Sequence, residues 1–95
     1  MPIGISLTFW VTIRHERGSY AGRGTRLYSG GFECLLDVFP AKRRGRVAMH
    51  RGPVRFEAAC VLWNCTQIEE SDCYRTVWRF EGLTRGQRSA LALIP

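Results

Sequence analysis

The 95-residue chain has little that would support catalysis or membrane insertion. No apolar run approaches the roughly 20 residues that a bilayer-spanning helix needs. The first segment has no basic leading region and alternates where a signal peptide would run apolar without a break. The expected location is therefore cytoplasmic. Only two histidines occur, His15 and His50, and they lie in different segments. There is no G-x-S-x-G nucleophile turn, no P-loop and no dinucleotide fingerprint. The chain is thus expected to be neither an enzyme nor a cofactor carrier. The four cysteines, Cys34, Cys60, Cys65 and Cys73, contain no C-x-x-C pair. With the histidines elsewhere, that spacing leaves no zinc site. Lacking an export signal, the thiols are expected to be reduced. Cys34 and Cys60 fall on apolar faces of expected strands, where a thiol behaves as a small hydrophobe. Cys65 and Cys73 flank a polar loop, where a hairpin is one way to bring them face to face; buried, reduced thiols are the favoured reading.

Acids are also missing from one stretch. Lys42, Arg43, Arg44, Arg46, Arg51 and Arg55 have no carboxylate between them, whereas Glu69, Glu70 and Asp72 share a later loop. The net charge is +6. A basic cluster of this kind suits nucleic acid, an anionic ligand or an acidic protein surface. It equally suits a solvated loop that keeps a domain soluble.

What the chain does have is alternation. Ile3, Ile5, Leu7, Phe9, Val11 and Ile13 recur at every second position, which in a strand places all six on one face. Trp10, between Thr8 and Thr12, then faces outward as a partner contact, or lies under a helix or in a dimer contact. A second strand is expected over Tyr20 to Leu27, with a bulge or close backbone approach at Gly22 and Gly24. A third covers Phe32 to Val38, with Phe32, Cys34, Leu36 and Val38 inward and Pro40 as its stop. A short fourth strand runs from Arg46 to His50. A fifth runs from Val54 to Cys65, with Val54, Phe56, Ala58, Cys60 and Leu62 on one face. A sixth covers Cys73 to Phe80, where Tyr74, Thr76, Trp78 and Phe80 share a face. Thr84-Arg85-Gly86-Gln87 fits a capping box for a short last helix, packed through Leu83, Leu91 and Ile94. Six short strands with turns between them mark an all-β antiparallel barrel or sandwich in a single domain, 1–95.

The element order resembles a PilZ domain. The likeness is strongest in Val61-Leu62-Trp63, in Tyr74-Arg75-Thr76-Val77-Trp78-Arg79-Phe80, and in the run from there into Leu83-Thr84. It implies a six-stranded antiparallel barrel with a C-terminal helix. It also implies a bacterial role in cyclic di-GMP-linked control of type IV pili, motility or exopolysaccharide. Two motifs usually carry the ligand in that family, and this chain departs from both. The R-x-x-x-R motif has no counterpart ahead of the first strand. The D-x-S-x-x-G motif falls on Arg26 to Gly31, where only Gly31 fits. Arg26 stands for an aspartate that accepts hydrogen bonds, and an arginine has no acceptor. Tyr28 stands for a small hydroxyl.

The leading expectation is an adaptor that acts through a protein partner without the usual ligand motifs. An alternative keeps cyclic di-GMP through substitute contacts from Arg14, Arg17, Arg23 and Arg26, around the first hairpin and Gly31. A second copy in a homo-oligomer would also supply missing arginines. A further alternative is a barrel for single-stranded nucleic acid, using Trp10, Tyr20 or Tyr28. Against it stand the lack of any module signature and the placing of the basic residues in one loop, away from the aromatics.

Overall fold

The computed structural model describes residues 5–92. Strand β1 (Ile5–His15) turns Phe9, Val11 and Ile13 inward and Trp10, Thr12 and Arg14 out to solvent, as its period-two pattern requires. Ile3 and Ile94 lie outside the described residues, as do the side chains of Ile5 and Leu7. Five more strands follow: β2 (Gly18–Tyr28), β3 (Gly31–Leu36), β4 (Arg44–Arg51), β5 (Val54–Gln67) and β6 (Tyr74–Glu81). Helix α1 (Arg85–Ala92) comes last. Neighbouring strands are antiparallel in the order β1-β2-β3-β6-β5-β4, and β4 returns to β1. The sheet therefore closes as a barrel, which removes its open edges.

Trp78 sits in the middle of the core with no exposed surface, its ring stacked on Phe32 at 6.4 Å between centroids. Around it pack Phe9, Leu36, Met49, Phe56, Cys60 and Leu62. Among the described residues the one buried polar side chain in that core is Thr76. Its hydroxyl accepts from the Trp78 indole N–H at 2.8 Å and donates to the Cys34 carbonyl at 2.9 Å.

Three one-residue bulges shape the barrel, and each falls where the register shifts. One lies between Ser6 and Phe9 of β1. Another leaves Thr25 unpaired on β2, one residue beyond the glycine that signalled it. There the Phe9 ring fills the space that any side chain at Gly24 would need. The third leaves Trp63 unpaired on β5, between Leu62 and Asn64.

In the ring of six strands β3 and β4 stand opposite one another, so their connection has to cross a barrel end. Residues 37–43 form that strap. Within it Pro40 is buried, the Lys42 amide donates to the Tyr20 hydroxyl at 2.8 Å, and the Leu62 amide donates to the Arg43 carbonyl at 2.6 Å. The crossing corrects one expectation. Val38 does not continue the inward face of β3 but is 48% exposed, because the chain leaves the sheet after Leu36. Strand β4 begins at Arg44, two residues earlier than expected, and β5 runs on to Gln67, opposite Tyr74.

At the other end α1 starts with the expected capping box. The Gln87 amide donates to Thr84 Oγ1 at 3.1 Å, and the Thr84 amide donates to Gln87 Oε1 at 2.8 Å. Gln87 Nε2 also donates to the Glu57 carbonyl at 2.9 Å, tying the helix to β5, and Leu91 is buried. Trp10 is not under this helix; it is open to solvent on β1. The cysteine hairpin is also corrected. Cys65 stands opposite Thr76, and Cys73 lies opposite Ile68, whose amide donates to its carbonyl at 2.9 Å. All four thiols are free.

Candidate functional site

The basic run stands out in the sequence but is largely matched in the fold. Lys42 Nζ lies 2.6 Å from Glu16, and Arg44 lies 2.8 Å from Glu81. Glu57 on β5 gathers three arginines: Arg55 at 3.1 Å, Arg14 at 3.7 Å and Arg46 at 3.9 Å. The hydrogen bond between Lys42 and Glu16 holds the carboxyl below its ordinary range and raises the ammonium above its own. A hollow of about 520 Å³ at this rim is lined by His15, Glu16 and Lys42 to Arg44. Its carboxylate and ammonium already satisfy one another.

A groove of about 470 Å³ opens at the other rim, beside the β2–β3 turn. Tyr28, Ser29, Gly30 and Gly31 form one side, and Trp63, Val77 and Arg79 the other. Its size is within the range of small-molecule sites, about 300–1,000 Å³. The bulge turns Trp63 to the outer surface, where it is 61% exposed, and the Arg79 guanidinium lies over its ring at 4.3 Å. Such a cation–indole stack presents a flat, positively charged wall. The groove offers hydroxyls and backbone groups but no carboxylate.

The strap carries a third surface feature. Val38 and Phe39 stand out from it as exposed apolar side chains. They are held in place: the Ala41 amide donates to the Phe39 carbonyl at 2.9 Å, and the Phe39 ring meets Tyr74 edge-on at 5.7 Å.

The structure does not gather the five residues that the sequence singles out, Arg14, Arg17, Arg23, Arg26 and Gly31, into one site. Arg14 and Arg17 lie at the strap end. Arg14 faces Glu57, and the Arg17 amide donates to His15 Nδ1 at 3.2 Å in the β1–β2 turn. Gly31 lies at the opposite end, on the groove, roughly 30 Å of strand away. Arg23 and Arg26 point outward from β2 between those ends. Gly31 has a structural reason to be glycine: a Cβ there would strike the Trp78 carbonyl. Sequence reading missed Trp63 and Arg79 as site residues. The signal for Trp63 was an aromatic placed directly after inward-facing Leu62. That for Arg79 was its alternation against Trp78 and Phe80.

Two of the thiols, Cys34 and Cys60, are sealed in the core. Burial pushes Cys34 up to about 11 and Cys60 up to about 12, so both stay protonated. Among the described residues no group of three or more His, Cys, Asp or Glu side chains is arranged to hold a metal ion. No helix among them is long and apolar enough to cross a membrane.

No family model matches the chain, and no curated protein matches it in sequence. Solved structures share its fold. Over 96% of its length it is similar to the Bacillus subtilis inhibitor of motility, MotI/DgrA, with a TM-score of 0.78 and 14% identity. Over the same share it is similar to the PilZ domain with c-di-GMP of YcgR from Escherichia coli, with a TM-score of 0.78 and 16% identity. The chain spans 46% of the Bacillus chain and 84% of the Escherichia coli chain. Its fold is the PilZ fold, a closed antiparallel barrel of six strands with one short C-terminal helix, as the resemblance implied.

Proposed function

We propose that this chain is a non-enzymatic, cytoplasmic signalling adaptor in cyclic di-GMP-linked control of motility, type IV pili or exopolysaccharide, acting through a protein partner. One observation carries the reading. Arg26, at the position where the ligand motif needs an acceptor, is an exposed cation, and the adjoining groove has no carboxylate to read a guanine edge. The strap supports the second half of the proposal. Val38 and Phe39 form an apolar pair on a tethered loop, the kind of rigid anchor that protein interfaces use. The E. coli neighbour's c-di-GMP and the Bacillus neighbour's role as an inhibitor of motility point to the process.

Calorimetric titration of the chain with cyclic di-GMP tests the first half, with no saturable binding below millimolar concentration expected. In the bacterium that carries the gene, Phe39→Ala is expected to abolish motility control while leaving the barrel folded. Saturable micromolar heat with the dinucleotide, or full control by Phe39→Ala, overturns the adaptor reading. The groove favours a second reading, a non-standard cyclic di-GMP effector. There the Arg79–Trp63 stack would take a base and Arg26, two strands away, a phosphate. The same titration separates the two.

A further inference from the structure

Four of the arginines that the fold leaves without an ion pair share one wall of the barrel, away from the basic run. Among the described residues Arg23, Arg26, Arg75 and Arg79 make no ion pair, and all four point outward from the wall formed by β2, β3 and β6. Register fixes their arrangement. Arg23 and Arg75 flank Leu35 in one row, two strand spacings or about 10 Å apart. Arg79 lies four residues along β6 from Arg75, about 13 Å away. Arg26 stands beside Glu33, whose carboxylate accepts from Thr25 Oγ1 at 2.8 Å. Half-buried Leu35 and Val77 form an apolar floor between them. An indole bounds the wall on each side. Trp10 is the β1 partner of Arg23, and Trp63 on β5 lies under Arg79; they are 62% and 61% exposed.

We propose that this wall binds single-stranded nucleic acid. The guanidinium forks suit phosphates, the exposed Trp10 indole offers a face to an unstacked base, and the Arg79–Trp63 stack offers a second planar surface. A duplex keeps its bases stacked and would leave both rings unused. An acidic peptide would satisfy the arginines but has no planar group to lay on the tryptophans. The sequence argued against nucleic acid because basic residues and aromatics lie apart along the chain. In three dimensions Lys42, Arg44, Arg46 and Arg55 are matched by Glu16, Glu81 and Glu57, while unpaired Arg23 and Arg79 stand beside Trp10 and Trp63. Strand binding on this wall is independent of the adaptor reading and uses none of the strap residues.

Fluorescence anisotropy of the whole chain with labelled oligo-dT and oligo-U of about 12 nucleotides tests it. Saturable binding is expected, with a log–log salt slope near −3 if four phosphates are contacted at about −0.7 each. That slope means about 50-fold weaker binding on going from about 50 to about 200 mM salt. Arg75→Ala should reduce the slope by about 0.7. Trp10→Ala should weaken binding about 10-fold and leave the slope unchanged, since base stacking carries no charge. Arg44→Ala, which removes a cation paired with Glu81, should change neither. The proposal fails if there is no saturable binding at low salt, or if duplex or poly-glutamate binds as well as the single strand. It fails also if equimolar cyclic di-GMP displaces the strand, or if Arg44→Ala matches Arg75→Ala.

Discussion

Thr76 shows how one hydroxyl can hold a core together. It lies in the same row as Cys34, and its oxygen accepts from Trp78 Nε1, donates to the Cys34 carbonyl and sits 3.2 Å from the Cys34 thiol. A tryptophan this deeply buried needs an acceptor for its indole N–H, and Thr76 Oγ1 supplies it at 2.8 Å. The buried side-chain polar atoms described here are accordingly all satisfied. Thr76→Val keeps the shape and removes the acceptor, leaving a buried donor orphaned at a cost of about 1–3 kcal/mol. Thr76→Ser keeps the acceptor and should lose less. Urea denaturation midpoints check both, and a Val variant as stable as the parent would show that the N–H finds another partner.

At the scale of elements, the barrel depends on where backbones approach one another, and the Gly30-Gly31 step displays this. Gly30 caps the β2–β3 turn with open space where a Cβ would go. Gly31 begins β3 against β6, where a Cβ would meet the Trp78 carbonyl, and the Phe80 amide donates to the Gly30 carbonyl at 2.9 Å just beside it. Gly30→Ala should therefore be neutral or stabilise slightly, by up to about 1 kcal/mol through the unfolded chain. Gly31→Ala must push two hydrogen-bonded strands apart, costing about 1–3 kcal/mol. Thermal melts of the two variants should diverge, and equal melts would sink the argument. Local turn chemistry does not separate those two glycines, because the difference lies in which strand comes to lie alongside. The same limit explains what else was hidden. Period-two alternation made Phe32, Cys34, Phe56, Ala58 and Trp78 legible as core, and the capping box at Thr84 was local enough to read directly. Val38 defeated the pattern because the strand order sends its segment across the barrel end. Trp63 and Arg79 met only through a bulge that no local signal marks.

On the scale of the whole molecule, charge and burial are sorted by closure of the sheet. The strap crosses one end of the barrel and α1 packs on β5 at the other, enclosing Cys34 and Cys60 in the core. Loss of water raises both thiols, Cys34 to about 11 and Cys60 to about 12, and the nearby Cys34 adds to the rise at Cys60. In the unfolded chain the same groups ionise near the ordinary thiol value of 9.0. Above that pH the unfolded state binds fewer protons than the folded one, so stability must fall as pH rises. The contribution is fully present below pH 9.0 and is lost on the way through about 11 for Cys34 and about 12 for Cys60. Each thiol adds a slope of up to about 1.4 kcal/mol per pH unit in that window. Denaturation curves at pH 8, where no dependence is expected from either group, and at several points up to pH 11 should show the decline. Cys60→Ala should begin less stable at pH 8 because it leaves a cavity, yet lose stability more slowly above pH 9. If the variant and the parent decline in parallel, the thiols are not what makes the closed barrel sensitive to alkali.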